Sequence, residues 1–298
     1  VSDNLDEYST NVFIPSQIIQ ILRTNGLALR KSLGQNLLIN RNIVKRTLTF
    51  AELKHEDSVL EIGPGLGALT FSLAQHVKEL VAIEVDRGIA AYLAQRVETF
   101  GCSNATVVHG DFLTHRLNTL PFSKAPTQVL SNFPYSIAIK AMIRIAEELH
   151  SVDRITCMVQ RELANRITAS PGDKVYSFVS VYLQYLMEIQ IVEKGVGPQN
   201  FFPRPDVESS IVVLRRRKRG ASDVTNTVFK DVAKVAFSSR RKRLARNLRQ
   251  LPLHIGGTEV ESLVMELFQN NGIRAEELDL ADFIRLAEKL APHFTISS

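Results

Sequence analysis

The chain has 298 residues, a hydrophobic fraction of 45% and a formal net charge of +5, which supplies apolar material for a full core and a basic balance suited to anionic partners. Its longest apolar-leaning stretch without charge, Val175 to Met187, is too short for a bilayer span, and the acidic start (Asp3, Asp6, Glu7) does not read as a secretion signal. Two cysteines without framework spacing (Cys102, Cys157) suit a reducing cytoplasm, and seven scattered histidines lack zinc-ligand spacing, so no membrane association and no metal site are expected.

The first ~30 residues carry no motif and read as a partly ordered extension. Asn40 is placed to cap a helix running to Leu53. Apolar runs at 58–62, 80–85, 105–109, 127–131 and 155–159 read as strands, and helical patterns fall between them, to about His76, over 88–99 and over 137–149. Such alternation predicts βαβ units and a parallel sheet. Two further runs, 188–194 and 208–214, have no clear helix between them and are expected to form an antiparallel pair at one edge. The expected fold class is α/β: a Rossmann-like domain with a seven-stranded, mostly parallel sheet and helices on both faces. Beyond residue 217 only helical periodicity remains, over 226–237, 239–250, 258–270 and 279–291. The expected domains are therefore 1–217, with its N-terminal extension, and a small all-helical domain, 218–298.

The first strand runs into Glu61-Ile62-Gly63-Pro64-Gly65-Leu66-Gly67-Ala68. Glycines allow a sharp turn and close ligand approach, and the helix beyond offers free N–H groups. The spacing also satisfies a dinucleotide fingerprint, so the glycines alone leave a dehydrogenase open. Glu84 ends the second strand, where it can take ribose hydroxyls with either cofactor. Three other features favour S-adenosylmethionine. Glu61 directly precedes the loop, and Asn132-Phe133-Pro134-Tyr135 follows the fourth strand. Asp111 and Phe112 follow the third strand, where a carboxylate can accept from an adenine amino group and an aromatic can flank the ring. All lie at carboxyl ends of parallel strands, where open α/β sheets bind ligands.

The fourth strand ends in Asn132-Phe133-Pro134-Tyr135. The exocyclic nitrogen of adenine is a poor nucleophile because its lone pair is delocalised into the ring. Acceptors on its two N–H bonds draw it toward tetrahedral geometry. Asn132 Oδ1 and the Phe133 carbonyl can be those acceptors, Pro134 fixes the backbone, and Tyr135 can stack on the base. A base inside folded RNA must be unstacked to enter such a pocket.

Basic residues cluster twice, as Arg215 to Arg219 and as Arg240-Arg241-Lys242-Arg243 with Arg246 and Arg249. Both read as phosphate-binding surfaces. On a helix from 239 to 250, Lys242, Arg246 and Arg249 share one face opposite Leu244 and Leu248.

The chain resembles the small-subunit ribosomal RNA adenine dimethyltransferases. The likeness runs from about Lys31 to Leu248 and is carried by Lys31 to Leu38, Glu61 to Thr70, Glu84, Gly110 to Phe112, Asn132 to Tyr135, Val159 to Ala164, Phe201 to Ser209 and Phe237 to Lys242. It implies N6,N6-dimethylation of two adjacent adenines near the 3′ end of small-subunit rRNA. The implied partner is the immature small subunit, the implied cofactor S-adenosylmethionine, and a monomer is expected. By the same resemblance Gln35, Asn36 and Leu38 cover the methionine end of the cofactor, and Phe201 stacks on the target base opposite Tyr135. The helical tail is similar to the family's RNA-orienting domain. Two positions depart from the family pattern: Phe133 stands where Leu is usual and Ser136 where Asn is usual. The rivals are a methyltransferase acting on one adenine of large-subunit rRNA, a non-catalytic binding factor on the same scaffold, and a DNA adenine methyltransferase.

Overall fold

The computed structural model describes residues 11–217 and 225–295. In chain order the elements are α1 (Pro15–Thr24), β1 (Leu37–Leu38), α2 (Arg41–Ala51), β2 (Ser58–Ile62), α3 (Thr70–Ala74), β3 (Glu79–Glu84), α4 (Arg87–Thr99), β4 (Ala105–His109), β5 (Gln128–Asn132), α5 (Ala138–Glu148) and β6 (Arg154–Gln160). There follow α6 (Arg161–Ile167), α7 (Phe178–Leu186), β7 (Met187–Val196), β8 (Phe201–Phe202), β9 (Ser209–Arg216), α8 (Asn226–Ala236), α9 (Leu244–Leu248), α10 (Gly257–Phe268) and α11 (Leu280–Leu290).

Seven strands form one sheet in the order β4-β3-β2-β5-β6-β9-β7. The pairs among β2 to β6 are parallel, and β9 is antiparallel to β6. All five residues of β2 are buried, as expected for a strand covered on both faces. The strands step outward from β2 to β3 and β4, then return to β5 on the other side of β2. That reversal opens a crevice above the carboxyl ends of β2 and β5.

Local chemistry places the helices. Asn40 Oδ1 accepts from the N–H groups of Asn42 (2.8 Å) and Ile43 (3.3 Å) and so starts α2. Asp86 does the same for α4. Of the N-terminal segment, the described residues from 11 onward pack against the rest of the sheet domain, and residues 1–10 lie outside the described residues. Pro15 opens α1, Ile18 is fully buried, and both Val12 and Ile18 belong to an apolar cluster with Leu37, Phe71 and Leu93.

The described chain divides into two compact units, 1–164 with 189–216, and 165–188 with 217–298. The first holds the strands from β1 to β6, β8, β9 and nearly all of β7. The second groups α7 with the C-terminal helices, although the sequence places residues 165–188 in the first domain. Aromatic packing is the reason. The Tyr182 and Tyr185 rings of α7 stack on Phe229 of α8, the latter pair at 3.5 Å between centroids, and the Tyr176 hydroxyl donates to the Leu278 carbonyl at 2.8 Å. No helix among the described residues is long and apolar enough to cross a membrane.

Candidate active site

The loop after β2 turns on Gly63, at φ +68°, whose N–H donates to the Ile83 carbonyl at 2.9 Å. A Cβ at this position would lie 3.1 Å from two ring carbons of Pro134, so the glycine lets the two ligand loops touch. Glu61 is 1% exposed and accepts from Thr70 Oγ1 at 2.7 Å. Its burial pushes the carboxyl pKa up to about 8 from an ordinary 4.5. Glu84 is also buried. Its two carboxylate oxygens accept from the N–H groups of Gly65 (3.2 Å) and Asp86 (2.9 Å), and each keeps lone-pair capacity for a ligand hydroxyl. Burial raises the pKa of Glu84, and those N–H bonds oppose the rise.

The Glu61 shift gives a pH prediction. Between pH 4.5 and about 8 the native state holds a proton that the unfolded chain has released. The contribution of Glu61 to stability is therefore full below 4.5 and is lost as pH rises through about 8. Glu61→Gln keeps an acceptor for Thr70 and removes the titration. Urea unfolding at a series of pH values is expected to show the wild type losing stability relative to this variant from pH 5 to 8, by up to about 1.4 kcal/mol per unit. Parallel curves would mean that Glu61 is ionised in the native protein.

At the end of β5, Ser131 Oγ donates to the Ile62 carbonyl at 2.6 Å and ties this strand end to the glycine loop. Asn132 Nδ2 donates to the Asn36 carbonyl at 2.9 Å, while its Oδ1 is buried and accepts no hydrogen bond. A buried acceptor left open is costly unless a ligand supplies the donor. The Phe133 ring is 1% exposed and its N–H donates to the Met158 carbonyl. The Tyr135 hydroxyl pairs with Ser209 Oγ of β9 at 2.7 Å, and burial raises its pKa. Gln35 likewise has one end held and one end open: Oε1 accepts from the Arg30 N–H at 2.6 Å, and Nε2 is buried without an acceptor.

All the cofactor residues expected from the sequence, and Phe133, Pro134 and Tyr135 with them, line one cleft enclosing about 1170 Å³, part of it open to solvent. Of the two residues after β4, Asp111 is exposed and Phe112 is buried. Phe201 does not line the cleft. Leu38 pairs with Phe201 and Leu37 with Phe202, so alternate side chains leave on opposite faces. Leu38 and Phe201 enter one core cluster, Leu37 and Phe202 the other. Phe201 is 2% exposed and packs in the core cluster with Leu38. Sequence reasoning assigned no role to Asp86, Thr70 or Ser209. Thr70 and Ser209 stand within the stretches that carry the resemblance, and Asp86 carried a signal as an Asp immediately before a helix.

In the second unit the basic residues sort into two kinds. Arg240 is committed: it pairs with Glu276 at 2.8 Å and also donates to the carbonyls of Lys174 and Asp173. Arg249 pairs with Glu261. Arg241, Lys242, Arg243 and Arg246 are exposed and, with Arg249 and Glu261, line a hollow. They are not on one long helix. The Leu244 N–H donates to the Ile273 carbonyl, and Asn247 Nδ2 donates to the carbonyls of Ala236 and Ser239, so α9 starts only at Leu244 and residues 239–243 form a turn. The first basic run is structural where it is described. Arg215 pairs with Glu52, and Arg216 donates to three carbonyls around the end of α5. Arg217 donates to the Gln184 carbonyl. Lys218 and Arg219 lie outside the described residues.

A glycine loop, a buried acidic residue at the next strand end and an open carboxamide at the fourth, all at the switch point of this sheet, define a Rossmann-like S-adenosylmethionine-dependent methyltransferase. A profile described as "Ribosomal RNA adenine dimethylase" matches residues 26–291. The chain belongs to that family: it is an S-adenosylmethionine-dependent rRNA adenine dimethyltransferase. It is 38% identical over 277 residues to the Ribosomal RNA small subunit methyltransferase A of Acidothermus cellulolyticus, covering 92% of this chain and 93% of that protein. To the protein of the same name from Natranaerobius thermophilus it is 35% identical over 298 residues, covering 93% and 96%. Among solved structures, the 23S rRNA methyltransferase ErmE superposes with a TM-score of 0.62 at 27% identity, over 85% of this chain and 99% of that one. A dimethyladenosine transferase from Plasmodium falciparum shares the fold with a TM-score of 0.75 at 24% identity, over 87% and 99%.

Proposed function

We propose that this enzyme converts two adjacent adenines near the 3′ end of small-subunit (16S) rRNA to N6,N6-dimethyladenine. We place the reaction on the immature small subunit, in the cytoplasm, with the protein acting as a monomer and without a metal. The observation that carries the chemistry is the open, buried Oδ1 of Asn132 at the lip of β5. The small-subunit relatives favour that subunit over the large one as substrate.

The cofactor supplies the methyl group, and the residues in the cleft fit it. Glu84 would take the ribose hydroxyls and Asp111 the adenine amino group, with Phe112 beneath the ring. Gln35 Nε2 is an unused donor suited to the carboxylate of the methionine end, where Asn36 and Leu38 form the wall. Gly63 and Gly65 admit the ligand close to the backbone, and Glu61 fixes the loop through Thr70. Asn132 Oδ1 would accept from the target amino group and orient its lone pair. Pro134 holds the Phe133 carbonyl in place as the second acceptor. Tyr135, anchored through Ser209, offers its ring to the base.

The test is methyl transfer from labelled cofactor to both ribosomal subunits of an unmethylated strain, with methylated adenines mapped by mass spectrometry. Label on two adjacent small-subunit adenines is expected. Label on a single large-subunit adenine would overturn the assignment, and no label on either would point to a binding factor.

For RNA contact, we propose Arg241, Lys242 and Arg246 as phosphate ligands, with Arg249 shared with Glu261 and Arg240 bracing the turn. Replacing the first three by Gln is expected to flatten the plot of log affinity against log salt by about 2–3 units, one screened phosphate contact each. A slope equal to wild type in a folded triple variant would make this hollow a solvated surface.

A further inference from the structure

We infer that Arg144 of α5 is a positioning residue for the adenine end of the cofactor site. The inference rests on the reading that Asp111 and Phe112 hold the adenine.

Asp111 and Phe112 sit on the short connection that leaves β4. That connection is fastened to the cleft at its start, where the Gly110 N–H donates to the Glu84 carbonyl at 2.9 Å. Past that point the backbone turns on itself: Leu113 N–H donates to Asp111 Oδ1 at 2.9 Å, and the N–H groups of Thr114 and His115 donate to the Asp111 carbonyl. The Phe112 ring is buried, and Arg144 adds a clamp on the backbone of the turn from outside. Its Nη1 donates to the Phe112 carbonyl, and its Nη2 donates to the His115 carbonyl at 2.8 Å. Its guanidinium carbon lies over the Phe112 ring, 5.5 Å from the centroid.

The guanidinium is itself held. Nε and Nη2 donate to the two carboxylate oxygens of Glu148, one turn along α5, at 3.0 and 3.1 Å. The Arg144 side chain is 16% exposed and its bonds to the two carbonyls are partly buried, whereas Glu148 is half exposed. The arrangement needs the rigid, five-donor fork of arginine: one edge meets a carboxylate, and the remaining donors span two carbonyls three residues apart. The consequence is geometric. α5 begins just after Asn132 to Tyr135, so a single side chain fixes the adenine turn to the helix that leads out of the methyl-accepting loop.

Arg144 acts on the adenosine half alone, which both S-adenosylmethionine and S-adenosylhomocysteine carry. Arg144→Gln is therefore expected to weaken both ligands by the same factor, about tenfold, the scale of ordering lost with such supporting contacts. The KM for the cofactor should rise by a like amount, while the single-turnover rate at saturating cofactor stays at the wild-type value. Arg144→Lys keeps the charge and the buried stem but cannot bridge two carbonyls, so it should fall between wild type and Arg144→Gln. Calorimetry with the two ligands, beside a thermal melt of each variant, is the experiment. Wild-type affinity for both ligands in a folded Arg144→Gln or Arg144→Lys protein overturns the inference. So does a loss confined to one ligand, or a lowered rate at saturation. Asp111→Ala separates this failure from that of the underlying reading. If Asp111→Ala weakens both ligands and the Arg144 variants do not, the adenine site stands and the positioning role falls. If Asp111→Ala also binds normally, the adenine site itself is misplaced.

Discussion

Asn132→Ala is expected to lower single-turnover methyl transfer to unmethylated small subunits by roughly 10²–10³, the size of the loss when one positioned polar group is removed from a reacting centre. Two features of the carboxamide set the prediction. Oδ1 is the open, buried acceptor, and Nδ2 is held by the Asn36 carbonyl, which prevents the group from flipping end for end. The variant also releases the Asn36 carbonyl, so cofactor affinity should slip, but only by the ~0.5–1.5 kcal/mol of a neutral hydrogen bond. The rate effect should therefore greatly exceed the binding effect. Asn132→Asp keeps an acceptor but loses the donor to Asn36 and sets a carboxylate against that carbonyl, so it should rescue little. A wild-type single-turnover rate in Asn132→Ala would refute the acceptor role, and a collapsed thermal melt would make the residue a support of the loop instead.

The second large effect is on stability. Gly67 sits at φ +91°, and a Cβ there would come within 2.6 Å of Phe71 Cε2 and 2.8 Å of Leu93 Cδ1. Both neighbours are buried, and the Phe71 ring is further fixed edge-on against Phe100 at 5.6 Å. Gly67→Ala combines backbone strain with overpacking, together about 3–5 kcal/mol. Gly26 has φ +62° and nothing within 4 Å of its would-be Cβ, so Gly26→Ala is a control that carries strain alone. Urea midpoints should show Gly67→Ala far below Gly26→Ala. Equal midpoints would mean that the Phe71 and Leu93 side chains move aside freely.

The parallel strands were legible because a strand buried on both faces reads as an apolar run, and Leu80-Val81-Ala82-Ile83 is one. The strand-end residues followed, since topology alone brings carboxyl ends together. Pairs set by long-range register were not legible. Nothing local distinguishes Phe201 from Phe202, and the partner that sends Phe201 into the core lies some 160 residues earlier, in β1. Charge density misled for a related reason. Arg215, Arg216 and Arg217 look like a surface run, but the end of β9 carries them to carbonyls and carboxylates elsewhere in the chain. The periodicity of 239–250 is genuinely helical. It yields because Asn247, buried and polar, bonds two carbonyls that a continuous helix would have used itself.

The division of the chain has a consequence for how the protein is made. β9, the last strand to leave a ribosome, is an interior strand of the sheet, lying between β6 and β7. Residues 165–188 are translated well before the helices they pack with, and residues 189–216 complete a unit begun long before. Vectorial synthesis therefore offers no early stopping point. A nascent chain halted ahead of Ser209 has an open gap beside β6, and one halted at Arg217 still presents the Tyr182 and Tyr185 faces of α7 without Phe229. Domains usually fold one after another as they emerge; here each unit waits on chain that lies beyond a stretch of the other. A cut at 217 would leave the second unit in two pieces: it would strip α7 from its aromatic partners on one side of the cut and deprive the C-terminal helices of α7 on the other.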